Sequence, residues 1–211
     1  RPASDGDTVS VGEVLWTATG PTRALLLAER TALNLLCHLS GVATATQRWT
    51  DALADTGAVV RDTRKTTPLL RPLEKYAVRC GGGENHRMSL SDAALIKDNH
   101  IIAAGGITAA YQAVTEVFPD VPVEIEVDSV DGAAEAAAAG AQVILLDNFK
   151  TAEVAKAVEA VEGRSKIEVS GGLTIYAARA YGETGVDYLA VGAITHSAPA
   201  LDIAFDLREV R

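Results

Sequence analysis

From Gly57 onward the chain alternates six times between a short β-rich run and an amphipathic or alanine-rich one. The strand-like runs are GAVVRDT, AALIKDN, VPVEIEVDS, AQVILLDN, SKIEVSGG and VDYLAVGA. The intervening ones include ITAAYQAVTEVF, VDGAAEAAAAG and TAEVAKAVEAVEG. Strands that are continuously apolar rather than alternating are buried on both faces, as in a parallel sheet covered by helical crossovers. Six such units with no GxGxxG after the first strand predict an α/β fold, a closed or nearly closed (β/α) barrel rather than a dinucleotide-binding sheet. With 211 residues, 48% of them apolar, one barrel-sized core or one plus a fragment can be buried.

The segment before this rhythm reads differently. DGDTVSVGEVLWTATG has the pattern of a β-hairpin cut from a small sheet, so part of an N-terminal domain is expected to lie outside the sequence. PTRALLLAERTALNLLCHL then opens on Pro21 and sets Leu25, Leu26, Ala32, Leu33, Leu36 and Leu39 at helical spacing. Gly41 is expected to interrupt, with ATATQRWTDALADT resuming as helix. Residues 1–41 are therefore read as the remnant of an N-terminal domain, hairpin and helix, and 42–211 as the barrel.

The six strands finish in Asp62-Thr63-Arg64-Lys65, Lys97-Asp98-Asn99, Glu126-Val127-Asp128, Asp147-Asn148, Ser170-Gly171-Gly172 and Gly192-Ala193. A barrel collects these ends at one mouth, where its chemistry takes place. Ser170, Gly171, Gly172 and Gly192 lie in the last two strand-to-helix loops, where backbone N–H groups and helix N-termini can hold a phosphate. Glu126, Asp128 and Asp147 supply hard oxygen ligands suited to Mg²⁺ or to sugar hydroxyls.

A local concentration of positive charge stands out against an acidic whole. Residues 61–87, RDTRKTTPLLRPLEKYAVRCGGGENHR, carry seven basic and three acidic side chains, a net +4, in a chain whose net charge is −9. The acidic balance, with a pI of 4.9, argues against nucleic acid as a partner, so the local charge calls for a small anion. Arg64, Lys65, His86, Arg87 and Lys97 together would repel one another in a low-dielectric mouth unless anions belonged there. Arg71, Lys75 and Arg79 lie at helical spacing and are expected to form a solvated basic face. Two cysteines, Cys37 and Cys80, give no disulfide framework and fit a reducing compartment. No apolar run approaches membrane-spanning length, no signal peptide is visible and no zinc-ligand spacing occurs. A cytoplasmic location is the expectation.

The stretches AERTALNLLCHLSGVATAT, DTRKTTPLLRPLEKYAVRCGGGENHR, ALIKDNH, LLDN, SGG and TGVDYLAVGAITHS resemble, in order and spacing, those of the quinolinate phosphoribosyltransferases, from about Asp5 to Leu207. The resemblance implies an N-terminal α/β sandwich followed by an incomplete β/α barrel, in a homodimer whose sandwich covers the partner's barrel mouth. It implies Mg²⁺-dependent transfer from phosphoribosyl pyrophosphate to quinolinate with decarboxylation, in NAD biosynthesis. It further implies that Arg64, His86, Arg87 and Lys97 hold the two quinolinate carboxylates, with Arg30 arriving from the second subunit. Lys65 would lie between the two substrates, Glu126 and Asp147 near the ribose and Mg²⁺, and Ser170, Gly171, Gly172 and Gly192 around the 5′-phosphate. Lys65, Glu126 and Asp147 are the expected catalytic groups.

Two other readings of the same residues stand beside this one. A barrel aldolase would use Lys65 or Lys97 as a desolvated Schiff-base amine on a sugar phosphate. A non-catalytic module would bind phosphate esters without any dependence on Mg²⁺.

Overall fold

The computed structural model describes residues 3–208. They form six strands, β1 (Val59–Arg61), β2 (Ala94–Ile96), β3 (Val123–Val127), β4 (Val143–Asp147), β5 (Lys166–Ser170) and β6 (Tyr188–Ala190). The order across the sheet is β1-β6-β5-β4-β3-β2, and every pair is parallel. The strands follow one another as in a β/α barrel, yet β1 and β2 do not pair, so the sheet stays open along one seam. This is the incomplete barrel that the family resemblance implies. The free edge of β1 is covered instead by the segment that follows the second helix. Glu84 N donates to Val60 O at 2.9 Å and Asp62 N to Glu84 O at 3.2 Å, which blunts an otherwise unpaired strand edge.

The helices are α1 (Thr22–Ala52), α2 (Arg71–Cys80), α3 (Asp98–Ala104), α4 (Ile107–Val117), α5 (Val130–Ala139), α6 (Thr151–Val161), α7 (Ala178–Gly182) and α8 (Ala193–His196). Alternate strand residues Val123, Ile125, Ile144, Leu146, Ile167 and Val169 face them and are essentially inaccessible. Ala133, Ala136 and Ala157 on α5 and α6 are fully buried opposite. Their small side chains let the helices lie close to the sheet, so the alanine-rich run is core packing.

The inner face departs from the expectation of strands apolar on both sides. VEIEV and KIEVS alternate, and period two places Glu124 and Glu126 on one face of β3 and Glu168 and Ser170 on the corresponding face of β5. Glu124 and Glu168 are buried there. A carboxylate survives inside a barrel only when it is paired with a cation or well hydrogen-bonded. The interior is therefore a polar chamber rather than a packed apolar core.

Two further expectations are corrected at the N-terminal end. Residues 3–20 contain no strand; one cross-connection, Ala3 N to Leu15 O at 2.9 Å, stands where a hairpin ladder was expected. Two strands alone bury too little to hold a ladder, and Val11, Val14 and Trp16 remain exposed. The helix does not break at Gly41 either, for α1 runs uninterrupted through it for 31 residues. The glycine serves a crossing contact, because a Cβ there would come within 2.2 Å of the Pro199 carbonyl oxygen. The C-terminal segment thereby lies directly on α1, where Leu201 N donates to Cys37 O at 2.9 Å.

Candidate active site at the open end of the barrel

The last three strand ends form the first wall of the site. Ser170 Oγ donates to Asp147 Oδ1 at 3.1 Å, and Asn148 N donates to Ser170 O at 2.9 Å. Gly171 sits at φ 91°, and a Cβ there would fall 2.2 Å from Asn148 Oδ1, so only glycine fits the turn. Beyond β6, a Cβ at Gly192 would lie 3.1 Å from Lys65 Cδ and 3.2 Å from His196 Nε2, which places Lys65 and His196 together over this loop. The helices that follow are shorter than the sequence suggested. A three-residue 3-10 turn (Ile175–Ala177) and the five-residue α7 follow β5, and the four-residue α8 follows β6. Helices this short add little macrodipole, so the loop N–H groups are what these strand ends can offer an anion.

The carboxylates form the second wall. Glu126 Oε2 is ion-paired with Lys97 Nζ. Asp147 keeps Oδ1 on Ser170 and takes Asn148 Nδ2 on Oδ2 at 2.8 Å. A polar hollow of about 150 Å³ opens beside Asp147, bordered by Asp128, Ser129, Asn148 and Glu153. Asp147 lines this hollow and Glu126 does not; both carboxylates are part-solvated hard oxygen donors of the kind Mg²⁺ takes while sharing itself with phosphates. Glu126 and Asp147 are thus chemically fit to hold it.

The basic cluster forms the third wall. Arg64 Nε is buried with no hydrogen-bond partner. Burial lowers the pKa of the Arg87 guanidinium, and the positive charge of Arg64 lowers it further. His86 lies deeper, its Nε2 2.9 Å from Glu124 Oε2 and 3.3 Å from Glu168 Oε1. Burial opposes the charged ring, but the two carboxylates outweigh it and raise its pKa to about 9. These are the three groups that approach a shared metal-ligand geometry among the described residues. Arg61, 2.8 Å from Glu168 Oε2, already supplies positive charge there, so we read the group as an ion-pair clamp.

The structure brings most of the expected residues to one end of the barrel, with two qualifications. Lys97 is engaged with Glu126 rather than free. Arg30 stands apart on α1, exposed and paired with Glu29 at 2.7 Å.

The residues that sequence reasoning missed lie beneath the loops. Lys75 was expected on a solvated face and is fully buried. It is ion-paired with Asp62, also fully buried, and donates to His86 O at 3.0 Å. Asp62 in turn accepts the His86 N–H at 2.8 Å and Asn85 Nδ2 at 2.6 Å. Arg71 is not solvated either, since it donates to Thr66 Oγ1, Met88 O and Arg64 O. Arg79 does lie exposed, over the Tyr76 ring. Buried Glu74 ties the first loop to α1, through Thr67 N at 3.0 Å and His38 Nε2 at 2.8 Å. The hidden signal was the apolar spacing of α2, in which Glu74, Lys75, Ala77 and Val78 share the buried side.

Comparison with known proteins agrees with this geometry. Residues 42–206 match the family model described as quinolinate phosphoribosyl transferase, C-terminal domain, and residues 2–40 match that of the N-terminal domain. The chain is 50% identical over 206 residues to the nicotinate-nucleotide pyrophosphorylase [carboxylating] of Mycobacterium leprae, covering 96% of this chain and 72% of the relative. It is 45% identical to a probable enzyme of the same name from Bacillus subtilis, over 96% of this chain and 71% of that one. The crystal structure of NadC from Streptococcus pyogenes superposes with a TM-score of 0.90 at 46% identity, over 94% of this chain and 70% of that one. The chain belongs to the quinolinate phosphoribosyl transferase family.

Proposed function

We infer that this chain transfers the phosphoribosyl group of phosphoribosyl pyrophosphate to quinolinate with loss of CO₂, yielding nicotinate mononucleotide and pyrophosphate for NAD biosynthesis. The observation that carries the reading is the buried, unpartnered Nε of Arg64, close enough to the Arg87 guanidinium for its charge to lower the Arg87 pKa. Two guanidiniums so placed favour an anion between them, and a dicarboxylate matches their charge where a monocarboxylate leaves one unmatched. Arg64, His86, Arg87 and Lys97 serve as its receptor. Arg30, exposed on α1, reaches the receptor of a second copy in a homodimer.

Ser170, Gly171, Gly172 and Gly192 hold the 5′-phosphate through backbone N–H groups, and Lys65 lies over Gly192 between the two substrates. Glu126 and Asp147 face the ribose, where their negative charge offsets the positive charge that builds on the ring as pyrophosphate departs. Mg²⁺, when held by these carboxylates, offsets the charge of the leaving group. Once glycosylated, the pyridine nitrogen is cationic and stabilises the electron pair left on the adjacent ring carbon as CO₂ departs, and a proton from solvent then fills that position. The protein positions the reactants and balances charge, and no covalent nucleophile is needed. The aldolase alternative finds no support, for Lys65 is exposed and Lys97 is salt-bridged. Residues 1–41 are assigned to the N-terminal α/β sandwich domain and 42–211 to the barrel catalytic domain. A cytoplasmic setting fits the two free thiols, and among the described residues no helix is long and apolar enough to cross a membrane.

Incubation with phosphoribosyl pyrophosphate, Mg²⁺ and either quinolinate or nicotinate, followed by mass spectrometry, tests the assignment. Nicotinate mononucleotide should form from quinolinate alone. Product from nicotinate at a similar rate would overturn the dicarboxylate reading. Gly171→Ala is expected to weaken calorimetric binding of phosphoribosyl pyrophosphate by roughly ten-fold or more, because a methyl at this φ is strained and meets Asn148. Quinolinate affinity should hold, and equal loss of both would contradict a local phosphate role.

A further inference from the structure

The seam between β1 and β2 leaves the carboxylate receptor in two pieces. Arg64 follows β1, and Arg87 lies in the segment that leads into β2. No ladder joins those two strands. The segment is tied to β1 as far as His86, whose N donates to Asp62 Oδ1 at 2.8 Å. Past His86, no strand pairing among the described residues sets how far apart the two guanidiniums lie. That distance matters, because a misplacement of about 1 Å at a substrate-positioning group can cost roughly 10²-fold in rate.

Arg71, the first residue of α2, spans this gap. Its Nε donates to Thr66 Oγ1 at 3.0 Å, its Nη2 to Arg64 O at 3.2 Å and its Nη1 to Met88 O at 3.2 Å. One planar group therefore grips the residue that carries the first guanidinium and the neighbour of the residue that carries the second. The turn ahead of α2 aims it there. Leu70 N donates to Thr67 O at 3.1 Å with Leu69 at φ 68°, and the chain doubles back on the loop it has just left. All three acceptors are uncharged oxygens, so Arg71 neutralises no carboxylate through them. A lysine would bring the same charge on a single nitrogen, without the fork that reaches a loop on either side. Lys65 is anchored separately, through Thr63 Oγ1 and Thr195 Oγ1.

We propose that Arg71 is the positioning residue that fixes the spacing of Arg64 and Arg87, and through it the preference of the site for carboxylates on neighbouring ring carbons. This rests on the reading of Arg64 and Arg87 as part of the carboxylate receptor. Arg71 acts through the two loops that its donors engage.

The test uses the whole chain with Arg71→Lys and Arg71→Met. Calorimetry compares quinolinate, whose carboxylates are adjacent, with pyridine-2,5-dicarboxylate, whose carboxylates lie across the ring. Both variants should bind quinolinate roughly ten-fold or more weakly, as for loss of charged hydrogen bonds, while the weaker binding of the isomer changes by no more than about two-fold. The KM for quinolinate should rise in step, and that for phosphoribosyl pyrophosphate should stay within about two-fold, because Lys65 keeps its own anchors. Recovery of quinolinate affinity by Arg71→Lys would reduce Arg71 to a positive charge near the site and overturn the proposal. Equal weakening of both dicarboxylates would overturn it too, since general loosening of the fold does not change selectivity. If Arg71→Met does not fold, Arg71→Lys decides alone. Quinolinate binding by the unaltered chain without nicotinate mononucleotide would fault the reaction assignment and leave this comparison standing. Absence of quinolinate binding would overturn the receptor and the proposal together.

Discussion

Lys65→Ala is expected to lower kcat/KM roughly 10²–10³-fold, the loss seen when one preorganised charge that stabilises a transition state is removed. The unfolding midpoint should barely move. Lys65 is exposed, and its contacts to the scaffold are made by its backbone, with N on Thr63 Oγ1 at 3.0 Å and O taking Thr195 Oγ1 at 2.8 Å. Alanine retains both. Its ammonium makes no ion pair among the described residues, so the charge is free to meet an anion bound beside Gly192. Steady-state kinetics beside a thermal melt separate the two effects. Activity within a few-fold of the unaltered chain would remove Lys65 from the mechanism.

Lys75→Met should do the reverse and strike stability first, by about 3–5 kcal/mol, because it leaves the Asp62 carboxylate buried without its countercharge. For a chain of 211 residues a loss of that size lowers the melting temperature by roughly 10 °C. Lys75 and Asp62 are both fully buried. Burial lowers the pKa of Lys75, while the contact with Asp62 works in the opposite direction. The double variant Asp62→Asn, Lys75→Met removes both charges, so it should recover a substantial part of the lost stability. Recovery of stability without recovery of quinolinate affinity is the expected pattern, since Asp62 and Lys75 also fix the backbone of His86. A double variant no more stable than the single one would show that the pair is not coupled as its geometry implies.

The strands were legible because each is a short apolar run closed by a polar or glycine end, and all six lie where those runs predict. The strand-end carboxylates and glycines were legible for the same reason, since a parallel barrel gathers such ends at one mouth. The inner carboxylates were harder to see. In VEIEV and KIEVS the alternating glutamates look like solvent-facing positions, and only closure of the sheet turns that face inward. Lys75 was misread because a lysine at helical spacing is ordinarily solvated. Gly41 was misread because a glycine in a helix looks like a break until the Pro199 carbonyl is seen against it.

The sequence by itself determined the parallel α/β order, the polar mouth and the concentration of positive charge. Each of these depends on local periodicity or on residue type at a strand end, and both can be counted along one chain. Only the tertiary structure decided that β1 and β2 stay unpaired and that Lys97 is spent on Glu126. It also decided that Glu124 and Glu168, 44 residues apart in number, meet on one imidazole. Pairings of that kind arise from the register and curvature of a whole sheet. Their energy comes from burial, and burial is a property that no single segment possesses until the others have packed around it.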